Sequence, residues 1–450
     1  MIDPRLGVIR RVERQSMPPE VPAAFVSYAA RVSDTSRFGP WQADQYAYGG
    51  AFFDQERARS AAIGEAVERY CGNMIPSGLK SASYRELVAA GEPAVHPSEF
   101  ILYSDTQYAQ RGFPFVPFTD ELPVRWTAAR DLLTGGRVLV PASLVWINYF
   151  RDRYAGEPRT NFVIYSGIAT GQTREDAERA ALEELIERDA MTIWWQSGAP
   201  VVGIDLPSAS TVLAAIAPKS NLSNIRYHLV HIPTVVNVPV IGVLLQDTKQ
   251  HIVTFGTACR ADASDAAHKA LVEAVQLYTL SRECLDPHSP TWRAFEAGIL
   301  HSFSFLPYRA DRAYLDDVRP DFRNVIDLQF HTQLYLDVRM HVYVQRILKP
   351  CDYVSLSQLP RLPTYSSRSA YLERLAERGF RVLAVDLTTE DVRSAGLEVV
   401  RVIVPGLYPN APAAFPFLGG TRLYNEPVAQ GWRPSPCAED DLILAPMPYT

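Results

Sequence analysis

Two nine-residue segments of this chain, 61–69 and 180–188, run in the same order: small, small, apolar, any residue, Glu, apolar, apolar, Glu, Arg. Apolar residues recur around both at helical spacing, so each predicts a helix. Positions three apart on a helix share a face, which sets Glu65 beside Glu68 and Glu184 beside Glu187. Like charges so close are locally unfavourable. A merely solvated face would alternate Glu with Lys, whereas these pairs enclose Ala66 and Val67 in one case and Leu185 and Ile186 in the other. The echo reads either as a distant duplication or as two helices solving one packing problem.

If the two pairs face each other, four carboxylates converge and need cations to offset their repulsion. Hard oxygen ligands suit Mg²⁺, which is commonly held by one or two carboxylates and otherwise by phosphate oxygens, so a nucleoside triphosphate is the natural third party. Arg69 and Arg188 could grip carboxylates or phosphates bidentately. There is no Walker-type Gly-x-x-x-x-Gly-Lys-Ser/Thr loop and no kinase Gly-rich loop, so an ATP site here is expected to be built on helix faces. A third helical stretch carries Lys269, Glu273 and Gln276 at spacings of four and three, on one stripe; the first two also fit a plain intrahelical ion pair. The run Ser166-Gly-Ile-Ala-Thr-Gly171 leads into the second helix, whose N-terminal N–H groups favour anions.

Helical patterns cover 55–73, 174–195, 263–282 and 366–378, and strand-like runs rich in β-branched residues cover 137–141, 162–165, 234–245, 252–255, 340–347, 381–385 and 398–404. Their alternation predicts a mixed α/β class. With 47% hydrophobic and 21% charged residues the chain can bury ordinary cores, and its 450 residues suit more than one subdomain. Proline is over-represented, and nine of the 34 fall between Pro405 and Pro448. Interleaved Leu407, Tyr408, Phe415, Phe417, Leu418 and Trp432 predict an ordered, extended segment docked on the body rather than a solvated tail.

A formal charge of −6 without a basic patch argues against nucleic acid as a partner. No run of eighteen apolar residues predicts a membrane span, and residues 1–16 lack the apolar core of a secretory signal. Five scattered cysteines without a Cys-x-x-Cys pair suit a reducing cytoplasm. His228 and His231, three apart in a strand-like run, point to opposite faces. Cys71 and Cys259 read as buried inert thiols.

Three blocks together resemble the YcaO-domain family from Tyr46 to the end: Gly49-Gly50 followed by Ser60-Ala-Ala-Ile-Gly-Glu65-Ala-Val-Glu68-Arg69-Tyr70; Ser166-Gly-Ile-Ala-Thr-Gly171-Gln172 leading to Glu184-Leu-Ile-Glu187-Arg188-Asp189-Ala190; and Ala266 through Lys269, Glu273 and Gln276. The resemblance implies a YcaO-type fold with a non-P-loop site for ATP and Mg²⁺. By position, Glu65, Glu68, Glu184 and Glu187 would be metal and phosphate ligands. Gln172, Asp176, Arg188, Lys269 and Glu273 would contact nucleotide or metal, and Gln276 would complete the site. It divides the chain into an N-terminal segment 1–45 of open role, a catalytic domain 46–404 and a Pro-rich segment 405–450 that reaches the active site.

The family's peptide-modifying members are cyclodehydratases. A Cys, Ser or Thr side chain of a ribosomal precursor peptide attacks the preceding amide carbonyl, ATP phosphorylates the oxyanion, and phosphate leaves, giving thiazoline or oxazoline. Many end in Pro-x-Pro-x-Pro, which organises the site; here Pro446 and Pro448 match and Thr450 stands in place of the third proline. By the same resemblance, leader binding would come from a separate ubiquitin-activating-enzyme-like partner protein, azole formation from a flavin-dependent dehydrogenase, and the oligomer would be a homodimer. Two alternatives stay open: thioamide or amidine formation by an external nucleophile, and a non-catalytic ATP-binding scaffold subunit.

Overall fold

The computed structural model describes residues 1–35, 44–214, 224–300, 303–363 and 367–449. Three sheets are stitched together by three long helices. The first sheet is antiparallel, β1 (Ile9–Arg14), β2 (Phe25–Val32) and β3 (Tyr46–Phe52) in that order. The second contains β4 (Lys80–Ala82), β5 (Val124–Asp131), β6 (Arg137–Pro141) and β7 (Ile168–Gly171), joined by two late strands, β13 (Leu383–Asp386) and β14 (Glu398–Ile403). Its order is β4-β5-β13-β14-β7, with β6 also paired to β5. The third is β11-β10-β9-β8-β12, made of β8 (Val202–Ile204), β9 (Ile225–His231), β10 (Val240–Asp247), β11 (Ile252–Cys259) and β12 (Asp352–Val354). Only the β8–β12 pairing in it is parallel.

Helix α1 (Gln55–Gly72) packs on β2, β3 and β7; α2 (Arg174–Gln196) lies between β7, β14 and β11; α3 (Ala263–Cys284) covers β10 and β11 and also touches β3. Each starts at a side-chain cap: Asp54 accepts from the Arg57 N–H at 2.8 Å, Thr173 from Asp176, and Asp262 from Ser264. From Ala181 to Trp195 α2 is buried nearly all round, only Glu184 and Arg188 being half-exposed. That is the pattern of a helix enclosed by other layers.

Two glycines set how closely helix and strand approach. A Cβ on Gly49 of β3 would lie 2.2 Å from Ala62 N and 2.4 Å from Ala58 O of α1, and one on Gly256 of β11 2.2 Å from Ala270 O and 2.4 Å from Ala274 N of α3. Backbone meets backbone there because Ala58, Ala62, Ala270 and Ala274 offer small surfaces on the helix side.

The segment after Pro405 is docked. Tyr408, Phe417, Leu418 and Leu423 are buried, and Asp189 on α2 accepts the Tyr408 N–H and a two-pronged contact from Arg422. The segment is not extended throughout, since α5 (Arg422–Ala429) contains Pro427 near its end. A second helix against α2 is α4 (Ser367–Glu377), one residue inside the expected bound at each end, and Ser366 lies outside the described residues.

Two strand expectations fail. Residues 162–165 form no strand, and 340–347 are helical, a 3₁₀ segment Val338–Val344 running into a short turn Gln345–Leu348. The alternation of β-branched residues misled here. The buried set Met340, Val344 and Ile347 is spaced at four and three, while Val338 and Val342 are exposed, which is helical periodicity. In 234–245 the strand begins only at Val240, after a turn in which Asn237 has φ 53°. All five cysteines are free. No helix of the described residues is long and apolar enough to cross a membrane.

Candidate functional site

The glutamate pairs of α1 and α2 meet across the loop that leads into β7. The Thr170 N–H donates to Glu68 at 2.7 Å and the Gly167 N–H to Glu184 at 3.0 Å, so one short stretch of backbone holds a carboxylate from each helix. Such charge-assisted bonds are stronger than neutral ones. The Thr170 hydroxyl also donates to the Gly64 carbonyl at 3.1 Å, pinning the loop to α1 itself. Burial, then the charges of Glu65 and Glu184, push the Glu68 carboxyl well above the usual range, against the pull of the Thr170 N–H.

Each pair carries its own arginine. Arg69 reaches Glu65 at 2.5 Å and Asp44 at 3.4 Å, with its guanidinium 4.9 Å from the centre of the Tyr165 ring. Arg188 reaches Glu187 at 2.9 Å and Glu184 at 3.5 Å. Glu187 is buried and also accepts the Thr257 hydroxyl of β11 at 2.6 Å. Burial pushes its carboxyl up to about 7, opposed by Arg188 and reinforced by Glu273 and Glu184. Arg188 Nε is buried without a hydrogen-bond partner among the described residues.

From α3, Lys269 pairs with Glu273 at 3.0 Å. Although burial works to raise the Glu273 carboxyl, Lys269 and Arg188 hold it below the ordinary range. Gln276 lies half-buried against β3, its Oε1 3.3 Å from where a Gly50 Cβ would stand. Thus Glu65, Glu68, Glu184, Glu187, Arg188, Lys269 and Glu273 form one electrostatic cluster. Gln172 and Asp176 stand apart at the exposed start of α2, where Asp176 engages Thr173 at 2.7 Å and Arg179 at 3.7 Å.

The tail runs into this cluster. The carbonyls of Ala445, Pro446 and Pro448 accept from Trp195 Nε1 at 2.8 Å, the Tyr335 hydroxyl at 2.7 Å and the Phe255 N–H at 2.8 Å. Pro446 and Pro448 are buried; Thr450 lies outside the described residues. The ring of Tyr449 stacks beneath Arg188, whose Nη1 also donates to the Tyr449 hydroxyl, and that hydroxyl donates to Glu273 at 3.3 Å. Sequence reasoning missed Thr257, Tyr335 and Tyr449. Thr257 had a signal: it is a polar residue in a strand that is otherwise almost wholly apolar.

A family model described as YcaO cyclodehydratase, ATP- and Mg²⁺-binding, matches residues 49–408. The chain belongs to the YcaO family. An uncharacterized protein of Methanothermobacter thermautotrophicus is 25% identical to this YcaO chain over 372 residues, covering 80% of it and 81% of that protein. Among solved structures, a heterocyclase in complex with substrate and cofactor matches 100% of this chain at TM-score 0.74 and 21% identity. The chain spans 56% of that heterocyclase's length. YcaO from Methanopyrus kandleri bound with AMPPCP and Mg²⁺ matches 90% of this chain and 89% of its own at TM-score 0.57 and 18% identity. These likenesses are of fold, the mixed α/β YcaO architecture.

ATP and Mg²⁺ are the family's cofactors, and the residues present fit them. The cluster offers hard carboxylate oxygens, cations, and a buried guanidinium N–H with no partner among the described residues. Among the described residues no three carboxylates, histidines or cysteines converge on one ion-sized point. The glutamate pairs themselves suit ions held by one or two carboxylates and completed by phosphate oxygens.

Proposed function

We propose that this YcaO protein is an ATP-dependent cyclodehydratase that converts Cys, Ser or Thr of a ribosomal precursor peptide to thiazoline or oxazoline. The observation that carries this reading is the loop-bridged meeting of Glu68 with Glu184, with Arg188 beside it and the chain's tail stacked on that arginine. In this reading Glu65, Glu68, Glu184 and Glu187 hold Mg²⁺ and through it the triphosphate. Arg188, Lys269 and Glu273 set the charge around the phosphates, Gln276 lines the site, and Gln172 and Asp176, which stand apart from the cluster at the start of α2, would reach the nucleotide from outside it. Bound ATP supplies the phosphoryl group that turns the amide oxygen into a leaving phosphate. Positioning and electrostatics are then what the protein contributes.

The tail residues Pro446, Pro448 and Thr450 would shape the peptide side of the site, since the first two are fixed by their carbonyls against Tyr335 and β11. Recognition of the precursor's leader is assigned to a separate ubiquitin-activating-enzyme-like protein, and any azole to a flavin-dependent dehydrogenase. The test is intact-mass spectrometry of a candidate precursor peptide incubated with this protein, its partner, Mg²⁺ and ATP. Loss of one water per event supports the reading. Exchange of oxygen for sulfur in the presence of sulfide would replace it with thioamidation, and nucleotide binding without any mass change would replace it with a scaffold role.

A further inference from the structure

Arg401, in the middle of β14, is 1% exposed and among the largest fully buried side chains. Its guanidinium donates only to backbone carbonyls: Nε to Val145 at 2.9 Å, Nη2 to Ile164 at 2.6 Å and Nη1 to Ser166. None of its hydrogen bonds or ion pairs among the described residues goes to a carboxylate. Burying a charge on carbonyls alone is costly, and burial drags its pKa below the ordinary arginine value. What the arrangement achieves is geometric, because a planar fork with donors in fixed directions locks several acceptors at once.

Two of those acceptors, Ile164 and Ser166, lie in the loop that runs into β7, and the N–H groups of Gly167 in that loop and Thr170 in the strand hold Glu184 and Glu68. The same loop lies tight on the strand that carries Arg401. The Val402 N–H donates to the Gly167 carbonyl at 2.7 Å, and at Gly167, with φ +91°, a Cβ would come within 2.6 Å of Val402 O. We propose that Arg401 is a positioning residue of the nucleotide site, fixing through this loop the separation of Glu68 and Glu184. This rests on reading those glutamates as Mg²⁺ and phosphate ligands. Lysine keeps an amine at 401 but not the fork, so the fastenings at Ile164 and Ser166 are lost and the carboxylates lose their spacing.

The experiment titrates Mg²⁺ against AMPPCP binding in the full chain and in Arg401→Lys, Arg401→Gln and Arg346→Lys. Arg346 is a control of the same kind elsewhere: it donates to the Ala199, Trp194 and Trp195 carbonyls and stacks on both tryptophans. The expected result is a rise of about tenfold in the Mg²⁺ concentration at half-maximal AMPPCP binding in both folded Arg401 variants. Arg346→Lys melts at a lower temperature but keeps the wild-type midpoint. Arg401 variants that melt early yet keep that midpoint, or that do not fold at all, overturn the proposal and leave Arg401 a structural residue. Glu187→Gln is run beside them. Wild-type AMPPCP binding by that variant removes the site reading itself, whereas its loss alongside an unshifted Arg401→Lys removes only the positioning role.

Discussion

The guanidinium of Arg188 sits 4.5 Å above the centre of the Tyr449 ring, so the second residue from the end of the chain closes over the middle of its central helix. A cation on an aromatic face is worth about 0.5–2 kcal/mol, more as it is desolvated. Tyr449→Phe keeps the ring contact and gives up the hydroxyl's bonds with Arg188 and Glu273, whereas Tyr449→Ala frees Arg188 to swing. ATP turnover is expected to fall modestly in the first variant and by about tenfold or more in the second, in keeping with the cost of misplaced groups. Steady-state ATPase assays on the two variants check the order.

Glu187→Gln keeps the side chain's volume and the Thr257 contact but leaves Arg188 short of its buried partner. Affinity for Mg²⁺ and AMPPCP together is expected to drop on the order of a hundredfold, with far-ultraviolet circular dichroism unchanged. A folded variant that binds and hydrolyses ATP normally would sink the assignment of Glu187 as a ligand.

Burial pushes the Glu187 carboxyl up from the ordinary 4.5 to about 7, against the pull of Arg188. A metal-binding carboxylate has to be deprotonated, so binding competes with that proton. Affinity for Mg²⁺ with nucleotide is therefore expected to weaken as pH falls through 7, with a proton released on binding just below it. Calorimetry in buffers of different ionisation enthalpy measures the released proton directly.

His331 is buried, its Nε2 accepts the Ala413 N–H at 3.1 Å, and burial pulls its pKa down from 6.5 to about 3. The unfolded chain takes up a proton near 6.5 that the folded one refuses until about 3. The stabilising difference is whole above 6.5 and is lost as pH falls across that window, by up to about 1.4 kcal/mol per pH unit. Denaturant melts at pH 7 and pH 5 are expected to show a smaller acid loss for His331→Gln than for the wild type.

Gly256→Ala drives a methyl into the Ala270 carbonyl of α3. Overpacking of this kind costs about 1–3 kcal/mol, and because backbone rather than a movable side chain is met, the upper end is expected. Because α3 carries Lys269 and Glu273, the thermal shift should be accompanied by weaker nucleotide binding.

The three helices were legible because their apolar and small residues repeat at 3.6, and the glutamate pairs because a carboxylate beside Ala-Val or Leu-Ile is conspicuous. Each bound of α1, α2 and α3 lies within two residues of its expected place. What stayed hidden depends on contacts between distant parts of the chain. Nothing near Arg401 in sequence tells that it will clamp Val145 and Ser166, and nothing in a terminal Pro-Tyr tells that the ring will cover Arg188. Met340, Val344 and Ile347 show the other failure, where a run of β-branched residues satisfies two periodicities and only the partners decide.

The enclosure of α2 also bears on how freely its sequence can drift. α1 still offers solvent at Gln55, Glu56, Arg57, Ser60 and Ala61, so its tolerated substitutions should come and go with the turn of the helix. Between Ala181 and Trp195 only Glu184 and Arg188 keep any exposure, and both face the site, so layers, site and docked tail claim every side in turn. Mutational tolerance along that stretch should be a flat, unbroken low, and a change to one function of the helix has to be compatible with all the others at the same residue or its neighbour.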